Sequence, residues 1–287
     1  MKKTLVCVHV MPREIEMFER FMEQYKRALL YLDENDDVTI KATLNLNPEL
    51  VDWSTTDLPA EYFVNKFDAL FENVPNINEL ILDNSLMGTT QQKRESIELD
   101  YDQFIFIDAD IAFPEQLLKY QLEASYTLEG KYILIPNITK LWDNTWDILV
   151  HDDFKSQPYG YYKVHDPRKT INQEIDEVEL VQIPTIKFGC GMHTLYSKEF
   201  WQFVGIPESF GGYGPEDTFG MFAAMRAIQK GYKINEYLLK GVYITEDYIH
   251  RLPTFGNRVK VFDRKQEFRE RAEKNFHIEL NNFERSI

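Results

Sequence analysis

The sequence predicts an α/β domain built on a mixed, mostly parallel central sheet flanked by helices. Three observations carry this. Short apolar runs at 4–10, 38–44, 79–82, 104–108 and 131–136 alternate with stretches of helical periodicity. The stretches between the early runs can each hold a crossover helix, which makes the first half of the sheet parallel. Finally, 44% hydrophobic and 14% aromatic residues in 287 supply one large core and exclude a disordered chain.

Residues 4–10 read as a buried first strand. From Pro12, suited to a first helical turn, Ile15, Phe18, Phe21, Met22, Tyr25, Leu29 and Leu32 fall on one face. An acidic turn over 33–37 leads into a second strand at 38–44, and 45–59, with Pro48 and Pro59, reads as a loop. A helix over 60–71 and a short strand at 79–82 follow. Gly88 opens a polar helix through Leu99 that carries Gln91, Gln92, Lys93 and Arg94. After the strand at 104–108 come a helix from Pro114 to Leu128 and a strand at 131–136. Residues 137–180 lose the rhythm and read as a long surface excursion, a lid or acceptor loop. A strand near 178–187 and the turn Gly189-Cys190-Gly191 precede a helix capped by Ser197, with Phe200, Trp201 and Val204 facing inward. The helix begun by Pro215-Glu216-Asp217 should bury Phe219, Phe222, Met225, Ile228 and Ala224. A charged helix follows Phe262, read either as a solvated appendage or as a partner surface.

Net charge is −15, which argues against broad contact with nucleic acid or anionic lipid. The start MKKTLVCVHV mimics a secretory leader, but His9 interrupts the apolar run and acids follow at once, so a first strand is expected. No stretch reaches the roughly 20 apolar residues that cross a bilayer. Cys7 and Cys190 make no disulfide framework and point to a cytoplasmic protein.

Two stretches carry chemistry. FIFIDADIAFP (104–114) ends a buried strand in Asp108-Ala109-Asp110. D-x-D alone is cheap among 47 acidic residues, and Asp100-Tyr101-Asp102 repeats it upstream, but ligands of parallel sheets bind where strands end. The bland reading of these acids is a cap for the next helix. In ESFGGYGPEDTFG (208–220), Gly211, Gly212 and Gly214 surround Tyr213 before Glu216 and Asp217. Acids in a first helical turn are favoured by the helix dipole alone, yet no cap needs three glycines. Tyr213 reads either as a partly buried core aromatic or as a ring face for a sugar.

In this order and spacing, DADIAFP followed by FGCGMHTLYSKEFWQFVGIPESFGGYGPEDTFG resembles the GT-A fold glycosyltransferases, family-2-like and galactosyltransferase-like members included. The resemblance covers roughly 1–250 and implies a Rossmann-like catalytic domain over 1–262. Its nucleotide-sugar and metal half would be 1–136 and its acceptor half 137–262, with 263–287 as the charged C-terminal helix. It implies a metal-dependent, inverting, hexosyltransferase-type enzyme that moves a sugar from a nucleotide-diphosphate donor, a UDP-sugar favoured, to a hydroxyl of a carbohydrate or glycoconjugate. Asp110 would hold Mn²⁺ or Mg²⁺, both oxygen-seeking ions. Asp108 would contact the sugar and ribose or bind the metal through water, and His250, or else Asp247, would be a third ligand. Asp217 would be the base and Glu216 would bind the acceptor hydroxyl, with the roles exchangeable, while Tyr213 and Gly212 would form the acceptor surface. Lys93 and Arg94 would meet the diphosphate unless they belong to a solvated helix face. The base reader expected after strand one or at Asn45–Asn47 is not evident, which leaves Asp83. His193 reads as a packing residue.

Three rivals differ in residues. A phosphatase of the haloacid dehalogenase type would place its D-x-D on an N-terminal strand. A nucleotidyltransferase would follow strand one with a glycine-rich basic loop, where this chain has Val8-His9-Val10-Met11-Pro12-Arg13. The alternative from another class is a catalytically silent sugar- or nucleotide-binding protein of the same fold.

Overall fold

A computed structural model describes residues 1–83, 86–139, 174–183, 192–246 and 261–287. Along the first half run β1 (Lys3–Val10), α1 (Ile15–Leu29), β2 (Asp37–Leu44), β3 (Val51–Asp52), α2 (Ala60–Leu70) and β4 (Glu79–Asp83). They are followed by α3 (Thr89–Ser96), β5 (Gln103–Asp108), β6 (Ile111–Ala112), α4 (Leu117–Tyr126) and β7 (Tyr132–Thr139). Beyond these come β8 (Glu179–Ile183), β9 (His193–Ser197), α5 (Lys198–Val204), α6 (Glu216–Gln229), β10 (Asn235–Glu246), β11 (Phe262–Asp263) and α7 (Lys265–Ser286).

Nine strands form one sheet in the order β4-β2-β1-β5-β9-β7-β10-β6, with β8 also paired to β10. The neighbours β4, β2, β1 and β5 are parallel, as the crossover rule requires of strand–helix–strand units. Strand β9 inserts antiparallel between β5 and β7, β10 runs parallel to β7, and β6 and β8 run against β10. Six strands (β4, β2, β1, β5, β7 and β10) thus share one direction, which gives the mixed, mostly parallel sheet expected. The chain winds outward from β1 through β2 to β4 and then returns to the other side of β1 as β5. The carboxyl ends of β1 and β5 therefore flank a topological switch point, where α/β sheets open a crevice. His9 and Asp108 are paired across it.

The predicted apolar face of α1 is buried in full, with Phe18 stacked on Phe21 at 5.5 Å and on Phe67 of α2 at 5.9 Å. Ser197 caps α5 by accepting from Phe200 N at 3.2 Å. On α6 the expected face holds at Phe219 and Ala224 and fails at three positions. Phe222, Met225 and Ile228 are exposed, and Phe219, Gly220, Ala223, Ala224 and Ala227 are buried. The physical reason is close approach: a Cβ on Gly220 would stand 3.0 Å from the Trp201 ring, so the small side chains face inward. The loop expected at 45–59 contains β3, which pairs with β11 from the far end of the chain.

Helix α7 is no solvated appendage. Ala272, Leu280 and Phe283 are buried, Phe276 stacks on Phe210 at 6.4 Å, and Phe283 meets Phe203 at 5.7 Å. Among the described residues no helix is long and apolar enough to cross a membrane. His250, Asp247, the turn Gly189–Gly191 and most of the 137–180 excursion lie outside the described residues.

Buried His193 adds a measurable acid sensitivity. Its ring packs 6.2 Å from Phe113, and neither nitrogen has a partner among the described residues. Burial lowers its pKa to about 3 from an ordinary value near 6.5. The unfolded chain takes up a proton below about pH 6.5 while the folded chain does not, so stability present above that pH is lost as pH falls toward 3. His9 has the same sign, held neutral by burial and then by Lys93, Lys41 and Lys265. His193→Leu is expected to lose about 1 kcal/mol less unfolding free energy than wild type between pH 7 and 5.5, read by urea titration at both values. Equal losses would show that His193 does not carry the slope.

Candidate active site

The crevice at the switch point is a cleft of about 260 Å³. Asp108, Ala109 and Asp110 come from the end of β5, Lys93 from α3, and Tyr213 to Thr218 from the glycine loop and the first turn of α6. His9, Arg13 and Glu14 come from the end of β1 and the turn after it, and Lys265 and Arg269 from the first two turns of α7. Six of the expected site residues are thus brought together: Asp108, Asp110, Lys93, Tyr213, Glu216 and Asp217.

The sequence folds this way locally for identifiable reasons. Asp108 is the last residue of β5: its N–H donates to Met192 O at 2.9 Å, one step on in the register of the β5–β9 pairing, and the chain then turns through Ala109-Asp110 into β6. The glycine loop is held against the start of α3. Thr90 N donates to Gly212 O at 3.1 Å, Gly214 N donates to Thr90 Oγ1 at 2.7 Å, and Gly211 has φ +64°. A Cβ on Gly88 would lie 1.9 Å from Gly212 O, so two backbones meet where no side chain fits. Gly88→Ala is expected to destabilise the fold by about 3 kcal/mol or more, measured by chemical denaturation, because the obstructing atoms are backbone. A loss below about 1 kcal/mol would mean that α3 and the loop are free to separate.

Glu216 is buried and doubly engaged: Oε1 lies 2.5 Å from Lys93 Nζ, and Oε2 accepts from Thr90 Oγ1 at 2.8 Å. Burial opposes the Lys93 charge, but Glu216, with Asp108 and Asp217 beyond it, raises the ammonium pKa overall. Lys93 also lies 5.2 Å from the Phe106 ring centroid. Asp217, next along, accepts from Thr218 N at 2.6 Å and keeps its carboxylate in the cleft. Asp108 is reached by solvent at the cleft mouth yet crowded by protein. That crowding and then the like charge of Asp110 push it up to about 8, against the pull of Lys93 and Lys265.

Two carboxylates that repel each other at a strand end form an oxygen-donor pair suited to a hard divalent cation. Among the described residues no cluster of three or more metal-ligating side chains is assembled, and His250 falls outside them.

Asp83 and Arg94 do not line the cleft. Asp83 accepts from Gln92 Nε2 at 3.0 Å, and Arg94 Nη1 donates to Pro207 O at 3.1 Å, tying α3 to the loop before the glycines. Gly212 contributes backbone to the α3 contact and is likewise not a lining residue. Sequence reasoning missed His9, Arg13, Glu14, Thr90, Lys265 and Arg269. Lys265 Nζ meets Glu14 Oε1 at 2.5 Å across 251 residues of chain and lies 5.6 Å from the Tyr213 ring centroid. No local pattern could reveal that contact. Thr90 was within reach, since a threonine in a first helical turn beside a glycine is a natural anchor for an incoming backbone.

No family model matches the chain, and no curated protein matches it. Among solved structures it is similar to Staphylococcus aureus TarS 1–349 in complex with UDP-GlcNAc, at 12% identity and TM-score 0.49, covering 96% of this chain and 66% of that one. It is also similar to the mannosyltransferase PcManGT from Pyrobaculum calidifontis in complex with GDP-Man and Mn²⁺, at 12% identity and TM-score 0.49, covering 86% and 57%. The third is GalNAc-T7 with UDP, GalNAc and Mn²⁺, at 8% identity and TM-score 0.49, covering 86% and 44%. The chain spans 44 to 66% of the length of these three compared chains.

Proposed function

We propose that the protein is a metal-dependent, inverting glycosyltransferase that moves a hexose from a nucleotide-diphosphate sugar, a UDP-sugar favoured, to a hydroxyl of a carbohydrate or glycoconjugate. The observation that carries this reading is that Asp108 and Asp110, at the end of β5, share one cleft with Asp217, in the first turn of α6. A donor-side carboxylate pair and an acceptor-side base are the two parts that sugar transfer needs.

Asp110 and Asp108 would hold Mn²⁺ or Mg²⁺, with His250 as an expected third ligand. When bound, the cation would supply Lewis-acid stabilisation of the negative charge on the departing diphosphate. Asp217 accepts the proton of the acceptor hydroxyl as that oxygen attacks the anomeric carbon. Its own hydrogen bonds to Thr218 leave one carboxylate oxygen for this task. Glu216 is spent on Lys93 and Thr90, so in this reading it positions Asp217 and the glycine loop, and the acceptor-hydroxyl role passes to Asp217 and Tyr213. Lys93, paired to Glu216, lends its charge to the cleft as a whole. A cytoplasmic setting goes with this reading, and Cys7 is a buried free thiol.

The test is calorimetric titration of UDP-, GDP-, CDP- and TDP-sugars with and without Mn²⁺, on wild type and Asp110→Ala. Binding of one nucleotide sugar that Mn²⁺ strengthens, with the gain lost in the variant, is expected. Absence of nucleotide binding under any metal would sink the reading and leave a silent member of the fold.

A further inference from the structure

The cleft has a second chemical face. Arg13, on the turn after β1, and Lys265 and Arg269, four residues apart on α7, line its rim together. Residues at this spacing share one helix face. In a chain of net charge −15, these three cations, each with one acidic partner, set basic groups beside the carboxylates of Asp108, Asp110 and Asp217 in the same cleft.

Their pairing leaves their tips available. Arg13 is held to Asp263 through Nε at 2.6 Å, and Arg269 to Glu273 through Nε at 2.9 Å. Among the described residues the terminal Nη groups of both have no partner, and the side chains are 48% and 41% exposed. Guanidinium tips offer paired N–H donors in the geometry that oxyanions accept in a bidentate manner. Lys265 is pinned by Glu14 on one side and by the Tyr213 ring on the other, which fixes a positive charge between the two arginines' elements. The first turn of α7 adds the positive end of the helix dipole, with Lys265 N already held by Asp263 Oδ1 at 3.2 Å.

We propose that Arg13, Lys265 and Arg269 form an oxyanion subsite, for a phosphate or carboxylate group of the ligand, that works without a metal. It deepens the transferase reading by naming two sources for the anion: the diphosphate of the donor or an acidic group on the acceptor. Wall and carboxylates face one cleft, so one ligand reaches both.

The experiment is calorimetric titration in EDTA with three probes, inorganic pyrophosphate, uridine diphosphate and glucuronic acid, against wild type, Arg13→Gln, Arg269→Gln and the double variant. Melting temperatures serve as the folding control, and both positions are half exposed. The proposal expects metal-free binding of at least one probe, weakened about tenfold or more by each substitution, as loss of a charge-assisted hydrogen bond implies. Raising salt should weaken wild type more than the double variant. Dependence of uridine diphosphate on the arginines would assign the wall to the donor, and dependence of glucuronic acid alone would assign it to the acceptor. Equal binding by wild type and the folded double variant, or no binding of any probe by wild type, would overturn it. Neither outcome bears on the transferase reading, which is tested by the gain in affinity on adding Mn²⁺ and its loss in Asp110→Ala.

Discussion

Asp217→Asn is expected to lower sugar transfer by about 10²–10⁴-fold, the range that one positioned general base contributes, while Mn²⁺-dependent donor binding stays close to wild type. The amide keeps the size of the carboxylate, and its oxygen still accepts from Thr218 N, now made at 2.6 Å. What it loses is the capacity to take a proton, together with a favourable helix-dipole contact of about 0.3–1 kcal/mol. Donor binding is proposed to rest on Asp108 and Asp110, which belong to β5 and the turn after it and do not depend on the side chain at 217. The measurement is turnover and KM for the donor identified by calorimetry, with melting temperature as control. A fall in turnover with unchanged donor KM would place the effect on the chemical step. Full activity in Asp217→Asn with loss in Glu216→Gln would instead exchange the two acids, and the ion pair to Lys93 would then need to open during the reaction.

The sheet and most helices were legible because they are written locally. The single face of α1, the cap at Ser197 and the apolar run into Asp108 each declare themselves within one short stretch of chain. The alternation of strands and helices marked the first half of the sheet as parallel and put the acids at a strand end, while the strand order and its switch point appear only in the structure. Two kinds of feature were not. On α6 the reading took large apolar residues as the buried face, but the helix approaches Trp201 so closely that Gly220 and three alanines take that place. Periodicity of size cannot report a contact whose requirement is smallness. The rim of the cleft was hidden for the opposite reason: Arg13, Glu14, Asp263 and Lys265 meet only because β11 pairs with β3 and carries α7 to the site. The three glycines fall between these cases. They marked the loop as special, and their needs differ: Gly211 has φ +64°, a Cβ on Gly214 would stand 2.8 Å from Phe210 Cβ, and the close backbone contact at Gly212 falls on Gly88 of the α3 cap.

The second large effect concerns the Lys93–Glu216 pair, whose side chains are 8% and 6% exposed. Lys93→Met is expected to cost about 3–5 kcal/mol, because it strands the Glu216 carboxylate in a site with only Thr90 Oγ1 for company. Glu216→Gln strands the ammonium in turn and should cost a similar amount. The double variant Lys93→Met/Glu216→Gln should be far less destabilised than the sum of the two, since no charge then remains unpaired. Urea titration of all four proteins gives the coupling energy. Additive losses would mean that water or a mobile partner already relieves each charge, so that the contact holds nothing in place. A large coupling has a functional corollary. The pair joins α3 to the first turn of α6, which the proposed function puts on the donor and acceptor sides of the cleft, and Asp217 is the next residue along. The double variant should therefore fold and bind donor yet transfer sugar poorly, because Glu216 acts through the placement of its neighbour. Recovery of stability without recovery of turnover would separate a positioning role from a merely structural one.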